Sequence, residues 1–192
     1  MVMVYMGGHI SGAHYNPAVS FGLYLRKKIG ARDLIMYWIT QLVAAALAFG
    51  FGYAISGHTP GIHPGAKVAL FQALAAEIVF TTGLVLVVLN VAATKATMGN
   101  SFYGLAIGFT VAIGVFAVSP ISGGAFNPAV GFGATLWAAA FASGSWADLW
   151  LYVVGPLIGA TIAAGIHFVQ RSGNDEDAVP PQGQPSSRVP AA

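Results

Sequence analysis

The chain has 192 residues, of which 56% are hydrophobic and 7% charged, and its mean hydropathy is +0.72, more apolar material than one soluble core requires. Eight basic against six acidic side chains leave a formal charge of +2, too small and too dispersed for a nucleic-acid-binding surface. With no cysteine, disulfide scaffolds and cysteine-based metal sites or nucleophiles are excluded, and the composition points to a chain that lives in lipid.

Along the chain, the apolar run Val2-Met3-Val4-Tyr5-Met6 has no positive residues ahead of it and is too short for a signal peptide or a complete span, so it reads as the tail of a helix whose start is missing. The glycine-rich stretch Gly7-Gly8-His9-Ile10-Ser11-Gly12 is read as irregular backbone bordering a water-filled path. A span needs about 20 mostly apolar residues, which predicts four transmembrane helices at 34–55, 70–93, 102–118 and 149–169. Two further apolar segments, 17–25 and 128–140, have roughly half that length and read as re-entrant half-helices. Between Asn16 and Asn127 lie three of the predicted spans. An odd number makes the two half-helices enter the bilayer from opposite faces. Arg26, Lys27, Lys28, Arg32, Lys95 and Arg171 all fall on one side in that layout and only Lys67 on the other, which makes the basic side and the C-terminus cytoplasmic. Residues 1–171 form the membrane domain. The tail 172–192 carries Asp175, Glu176, Asp177 and four of the ten prolines, a composition expected to be disordered.

The most informative feature is a repeat. Residues 10–22 read ISGAHYNPAVSFG and residues 121–133 read ISGGAFNPAVGFG, identical at 9 of 13 positions without a gap. Duplicated segments of inverted topology build midplane sites from discontinuous helices that meet end to end. Asn followed by Pro starts a helix: the Asn side-chain oxygen caps it, and Pro occupies the first turn, where its absent N–H is not missed. The Asn NH2 groups are then free to donate. Two facing helix starts bring about half an elementary charge each to one constriction, which disfavours cations and holds a neutral molecule whose oxygen accepts from Asn16 and Asn127. Loop carbonyls supply acceptors along the same path. As a lone capping sequence, Asn-Pro-Ala arises readily by chance; two copies in matched surroundings do not.

The stretches GGHISGAHYNPAVSFG, SPISGGAFNPAVGFG and GPLIGA at 155–160 resemble the aquaporin (major intrinsic protein) family, and the resemblance runs from Met1 to about Arg171. It implies an all-α membrane protein, an inverted-repeat helical bundle with two re-entrant half-helices, here without the first span and most of the second. It implies a homotetramer with one pore per subunit in the lipid bilayer of the cell membrane, and no cofactor. The pore motifs are then Asn16, Pro17, Ala18 and Asn127, Pro128, Ala129, and the pore-lining backbone includes Ala13, His14, Gly123 and Ala125. The family's outer filter falls on Val115, Gly124 and Val130, where an Arg normally follows the second motif and a His stands on the fifth span. Two valines and a glycine give a wider and more apolar constriction. That opens the way to small neutral solutes such as glycerol, urea, ammonia or peroxide as the alternative, while water stays the first expected permeant. The family's longer-looped glycerol channels carry Arg-Asp where this chain has Val130-Gly131.

Glu77 is the only acidic residue in a long predicted span, which marks it for function. The resemblance implies that it holds the second loop, in preference to relaying protons. Gln41 matches a position with a similar part in the first half, against the plainer reading of an interhelical hydrogen bond. His14 reads either as a protonation gate, since imidazole titrates near neutral pH, or as a structural histidine. His58 and His63 lack the company of a metal site, and no metal is expected. Gly104-x3-Gly108 and Gly155-x3-Gly159 read as helix contacts within the bundle or between subunits. A membrane enzyme has too little polar inventory here, with only Gln41, Glu77, Asn90 and scattered hydroxyls. A non-conducting scaffold is the remaining rival.

Overall fold

A computed structural model describes residues 1–59 and 61–171; the expectation for the tail 172–192 lies outside them. The elements are α1 Val2–Ser11, α2 Pro17–Leu25, α3 Ala31–Ser56, α4 Leu70–Ala92, a 3-10 turn Lys95–Thr97, α5 Tyr103–Ser122, α6 Pro128–Phe141 and α7 Leu149–Arg171. The described residues contain no strand. Helices α3, α4, α5 and α7 have 26, 23, 20 and 23 residues, enough at about 1.5 Å per residue to cross a hydrocarbon layer of about 30 Å. At 9 and 14 residues, α2 and α6 cannot.

Two expectations change. Gly7 to Ser11 are helical, and irregular backbone begins only at Gly12, which closes α1 in the left-handed region with φ 68°. The glycines of α1 serve close approach instead. A Cβ on Gly7 would collide with the Tyr15 hydroxyl, and one on Gly8 would come 3.1 Å from the Tyr103 hydroxyl. Across the same crossing a Cβ on Gly104 would come 2.7 Å from the Tyr5 ring. The second change concerns α5, which runs four residues beyond 118, through Pro120 to Ser122. Its end is set by Gly123, whose φ of 90° turns the chain while its N–H still reaches the Ser119 carbonyl at 2.9 Å.

Helix α7 lies closely along α4. A Cβ on Gly155 would be 2.9 Å from that of Glu77, and one on Gly159 would be 2.6 Å from the Ile78 carbonyl oxygen. Both small-residue pairs are thus contacts inside the bundle, α5 on α1 and α7 on α4. The half-helices exchange partners: α2 packs chiefly on α7, and α6 on α3. Each therefore leans on the last span of the other repeat. Ala18, Val19 and Leu23 of α2 meet Leu84, Val85, Val88 and Leu89 of α4 in the main apolar core. The outer face of α3 exposes Ile35, Ile39, Val43, Leu47, Phe51 and Ile55. Such a ridge at every fourth position belongs against acyl chains rather than water.

Candidate functional site: two half-helices joined at their starts

Asn16 and Asn127 cap α2 and α6 with nearly the same backbone, φ −154° and −155°. Their Oδ1 atoms accept from Ala18 N at 2.9 Å and Ala129 N at 3.0 Å. The amides then cross over. Asn16 Nδ2 donates to the Phe126 carbonyl at 2.8 Å, and Asn127 Nδ2 donates to the Tyr15 carbonyl at 2.9 Å. The NH2 groups are thus not wholly free: each uses one hydrogen to tie the loops together and keeps one for the cavity that both asparagines line.

The loops entering these caps repeat each other residue by residue. Left-handed φ values occur at Gly12 (68°), Ala13 (51°) and Tyr15 (44°), and at the matching Gly123 (90°), Gly124 (67°) and Phe126 (49°). For a residue with a Cβ this conformation costs about 1 kcal/mol or more. What it achieves is visible at Tyr15 and Phe126, whose carbonyls face the opposite asparagine. In both copies the serine five residues before Asn has its carbonyl held by a tyrosine hydroxyl at 2.6 Å: Ser11 by Tyr37 and Ser122 by Tyr152.

Otherwise the supports differ. In the second loop Glu77, with no exposed surface, accepts through Oε1 from Ser122 Oγ (2.8 Å) and Ala125 N (3.0 Å), and through Oε2 from Phe126 N (2.7 Å). Ser122 Oγ in turn accepts from Gly124 N at 3.1 Å. The carboxylate is compensated by donors, as a buried charge must be. In the first loop Gln41 Nε2 donates to Ser20 Oγ at 3.0 Å, and Ser20 Oγ lies 3.2 Å from His14 Nδ1. The His14 ring stacks on Tyr37 at 4.3 Å between centroids, and Trp38 Nε1 donates to the Pro17 carbonyl at 3.0 Å. Gln41 Oε1 is buried without a partner among the described residues.

From the paired asparagines a cavity of about 550 Å³ runs toward the basic end, with Val19, Leu84, Val88, Ile107 and Val111 as apolar wall and His14, Thr97 and Asn100 among its polar groups. On the other side, Gly124 and Val115 are neighbours, since a Cβ on Gly124 would lie 3.4 Å from Val115 Cα. Val130 is half-buried against a cluster that contains Ala73, Ala125, Leu151 and Tyr152. His58 and His63 are exposed and turn their Nδ1 atoms to the carbonyls of Ser56 and Pro64.

Tyr37, Trp38, Ser20 and Tyr152 escaped the sequence reading. Tyr37 and Trp38 precede Gln41 by four and three residues, hence share its helix face, a signal that was present. Tyr152 lies in an apolar helix start that marks no role.

Two helix starts clasped through reciprocal amides inside an inverted repeat of apolar helices define an integral membrane protein of the aquaporin-like fold. The chain belongs to the major intrinsic protein family, whose profile matches residues 1–167. It is 38% identical over 179 residues to aquaporin NIP1-1 of Zea mays, covering 91% of this chain and 60% of that one. To the probable aquaporin TIP2-2 of Oryza sativa subsp. japonica it is 38% identical over 168 residues, 86% of this chain and 65% of that one. The chain thus spans less than two thirds of these relatives' length. Among solved structures, the aquaglyceroporin from Plasmodium falciparum superposes with a TM-score of 0.72 at 22% identity, covering 85% of this chain and 75% of that one; this likeness bears on the fold.

Proposed function

We propose that the chain forms a membrane channel for passive passage of water and small neutral solutes, with cations and protons disfavoured at the paired Asn-Pro-Ala motifs. The observation that carries this is the reciprocal bonding of Asn16 to Phe126 and Asn127 to Tyr15. It brings two half-helix N-termini, each worth about half a positive charge, to one point of a mostly apolar cavity. The remaining N–H of each amide donates to a passing oxygen. A cation meets two positive ends and, among the described residues, no carboxylate left to receive it, since Glu77 spends its oxygens on the second loop.

In this reading Ala13, His14, Gly123 and Ala125 present the backbone lining, Glu77 and Gln41 support the loops, and His14 is a packed structural residue. Val115, Gly124 and Val130 form an outer constriction without a charged donor, which favours neutral solutes beyond water. The basic end faces the cytoplasm, the membrane is the plasma membrane and the assembly is a homotetramer. Stopped-flow light scattering of proteoliposomes tests the channel: osmotic shrinkage faster than in empty vesicles is expected, and equal rates for water and for every neutral solute would overturn it. Val130→Arg is expected to slow glycerol and urea at least about tenfold while sparing water. Unchanged uptake would remove Val130 from the constriction.

A further inference from the structure

The two copies of the repeat cover one glycine by different means. Gly12 and Gly123 hold the same place in it, and both lie in the left-handed region. A Cβ on Gly12 would meet Nε2 and Cδ2 of His14 at 3.0 and 3.1 Å. The first loop thus covers its own glycine, with a ring that also lines the inner cavity. The residue matching His14 in the second copy is Ala125, whose methyl group has no such reach. Over Gly123 the nearest atom is instead Ile62 Cγ2, 2.7 Å from the Cβ position, with N and O of His63 each at 3.4 Å. Ile62 comes from the connection between α3 and α4, on the side away from the basic end.

That connection is fixed where it crosses the second loop. Gly65 N donates to the Ile121 carbonyl at 3.1 Å, and Val68 N donates to the Gly65 carbonyl at 2.9 Å. A Cβ on Gly65 would collide with the Pro120 carbonyl oxygen, so the close approach depends on glycine. Ile62, Val68 and Val130 are all half-buried against the cluster of Ala73, Ala125, Leu151 and Tyr152. Ile62 therefore packs on the same wall as Val130 and keeps part of its surface open. Gly124, the next residue after Gly123, brings Val115 to the same edge.

We infer that Ile62 is a further specificity-determining residue of the outer mouth, standing over the second loop as His14 stands over the first. The inner residue is polar, and the outer one is a branched hydrocarbon that is stiff about its first side-chain bond. It offers a passing solute no hydrogen bond to replace those lost with water. It acts by occupying space, and so sets how freely neutral solutes larger than water enter.

This rests on the channel reading, and the experiment separates the two. The full chain in proteoliposomes is assayed for water, glycerol and urea flux. A methylene of fit is worth at least about tenfold in a closed pocket, and a half-buried wall exerts part of that, so Ile62→Ala is expected to raise glycerol and urea uptake about threefold. Water flux stays nearly unchanged, and Ile62→Trp lowers uptake of the two solutes relative to water. Because the chain has no cysteine, Ile62→Cys supplies a single thiol. A trimethylammonium methanethiosulfonate reagent on both sides of the membrane forms a disulfide with it, followed by mass spectrometry. Complete labelling is expected to cut glycerol flux at least about fivefold by obstructing the mouth, and a reductant restores it. Lys67→Cys, exposed in the same connection, is labelled without loss of flux.

Water and glycerol changing in equal proportion in both Ile62→Ala and Ile62→Trp would reduce Ile62 to a packing residue and overturn the inference. An Ile62→Cys variant that stays unlabelled, or that is fully labelled with its flux intact, overturns it as well. Those outcomes in a conducting parent leave the channel reading standing. A parent no faster than empty vesicles for water and for both solutes defeats the channel reading itself, and the inference falls with it.

Discussion

The two loops that meet at the centre of the molecule share a backbone and differ in what holds it. Both reach their asparagine through left-handed residues at the same three positions and receive a tyrosine hydroxyl on the same serine carbonyl. Yet the second hangs on one buried carboxylate, whereas the first leans on Gln41, Ser20, the His14–Tyr37 stack and Trp38. The backbone path is therefore specified by the loop sequence and by the asparagine cross-bonds, and the surrounding supports can be exchanged around it. What the difference changes is concentration of risk. One loop has a single indispensable acceptor; the other has several weak neutral supports.

Glu77→Ala gives the largest expected effect. It strands three donors, Ser122 Oγ, Ala125 N and Phe126 N, and should cost about 3–5 kcal/mol, the usual result of breaking a compensated buried charge. Chemical unfolding in detergent measures it. Glu77→Gln keeps one acceptor oxygen and should fall between Ala and the parent. A cost at Glu77→Ala under about 1 kcal/mol would mean that the second loop stands without its carboxylate.

The tyrosines sharpen the comparison at a smaller scale. Both make the same bond to the same serine, but Tyr152 has no exposed surface and Tyr37 is half-buried. Tyr152→Phe should therefore cost about 1.5 kcal/mol and Tyr37→Phe about 0.5 kcal/mol, the two ends of the range for one hydrogen bond. The reverse order, in the same unfolding measurement, would show that burial does not rank them.

Much of this was legible in the sequence because it rests on local chemistry. Asn-Pro marks the starts of α2 and α6 at the residue level, and hydropathy finds the four long helices. Glycine misled at Gly7 and Gly8, since a missing Cβ serves equally for an irregular turn and for a close helix crossing, and only the partner, Tyr15 or Tyr103, tells them apart. Hydropathy placed the end of α5 at 118, short of the polar and proline-containing last turn that Gly123 closes. The hydrogen bond from Arg26 Nε to His167 Nδ1, 2.9 Å long, joins residues 141 apart. No periodicity of either segment announces it, and only the fold brings them together.

Gln41 provides the smallest and most diagnostic test of the contrast. Its Nε2 bonds Ser20, but its Oε1 is buried with no partner among the described residues, so the side chain loses hydration at one end while gaining a bond at the other. Gln41→Leu removes both terms at nearly constant volume. Interhelical hydrogen bonds inside membranes average only about 0.6 kcal/mol, and release of an unsatisfied oxygen works in the opposite direction. The net change should stay within about 0.5 kcal/mol of zero, with water flux near the parental value. Ser20 would still face His14, Tyr37 would still hold Ser11, and Trp38 would still hold Pro17. A loss of more than about 2 kcal/mol would show that the first loop also hangs on a single residue. The two halves would then differ in the charge of their support and not in its redundancy.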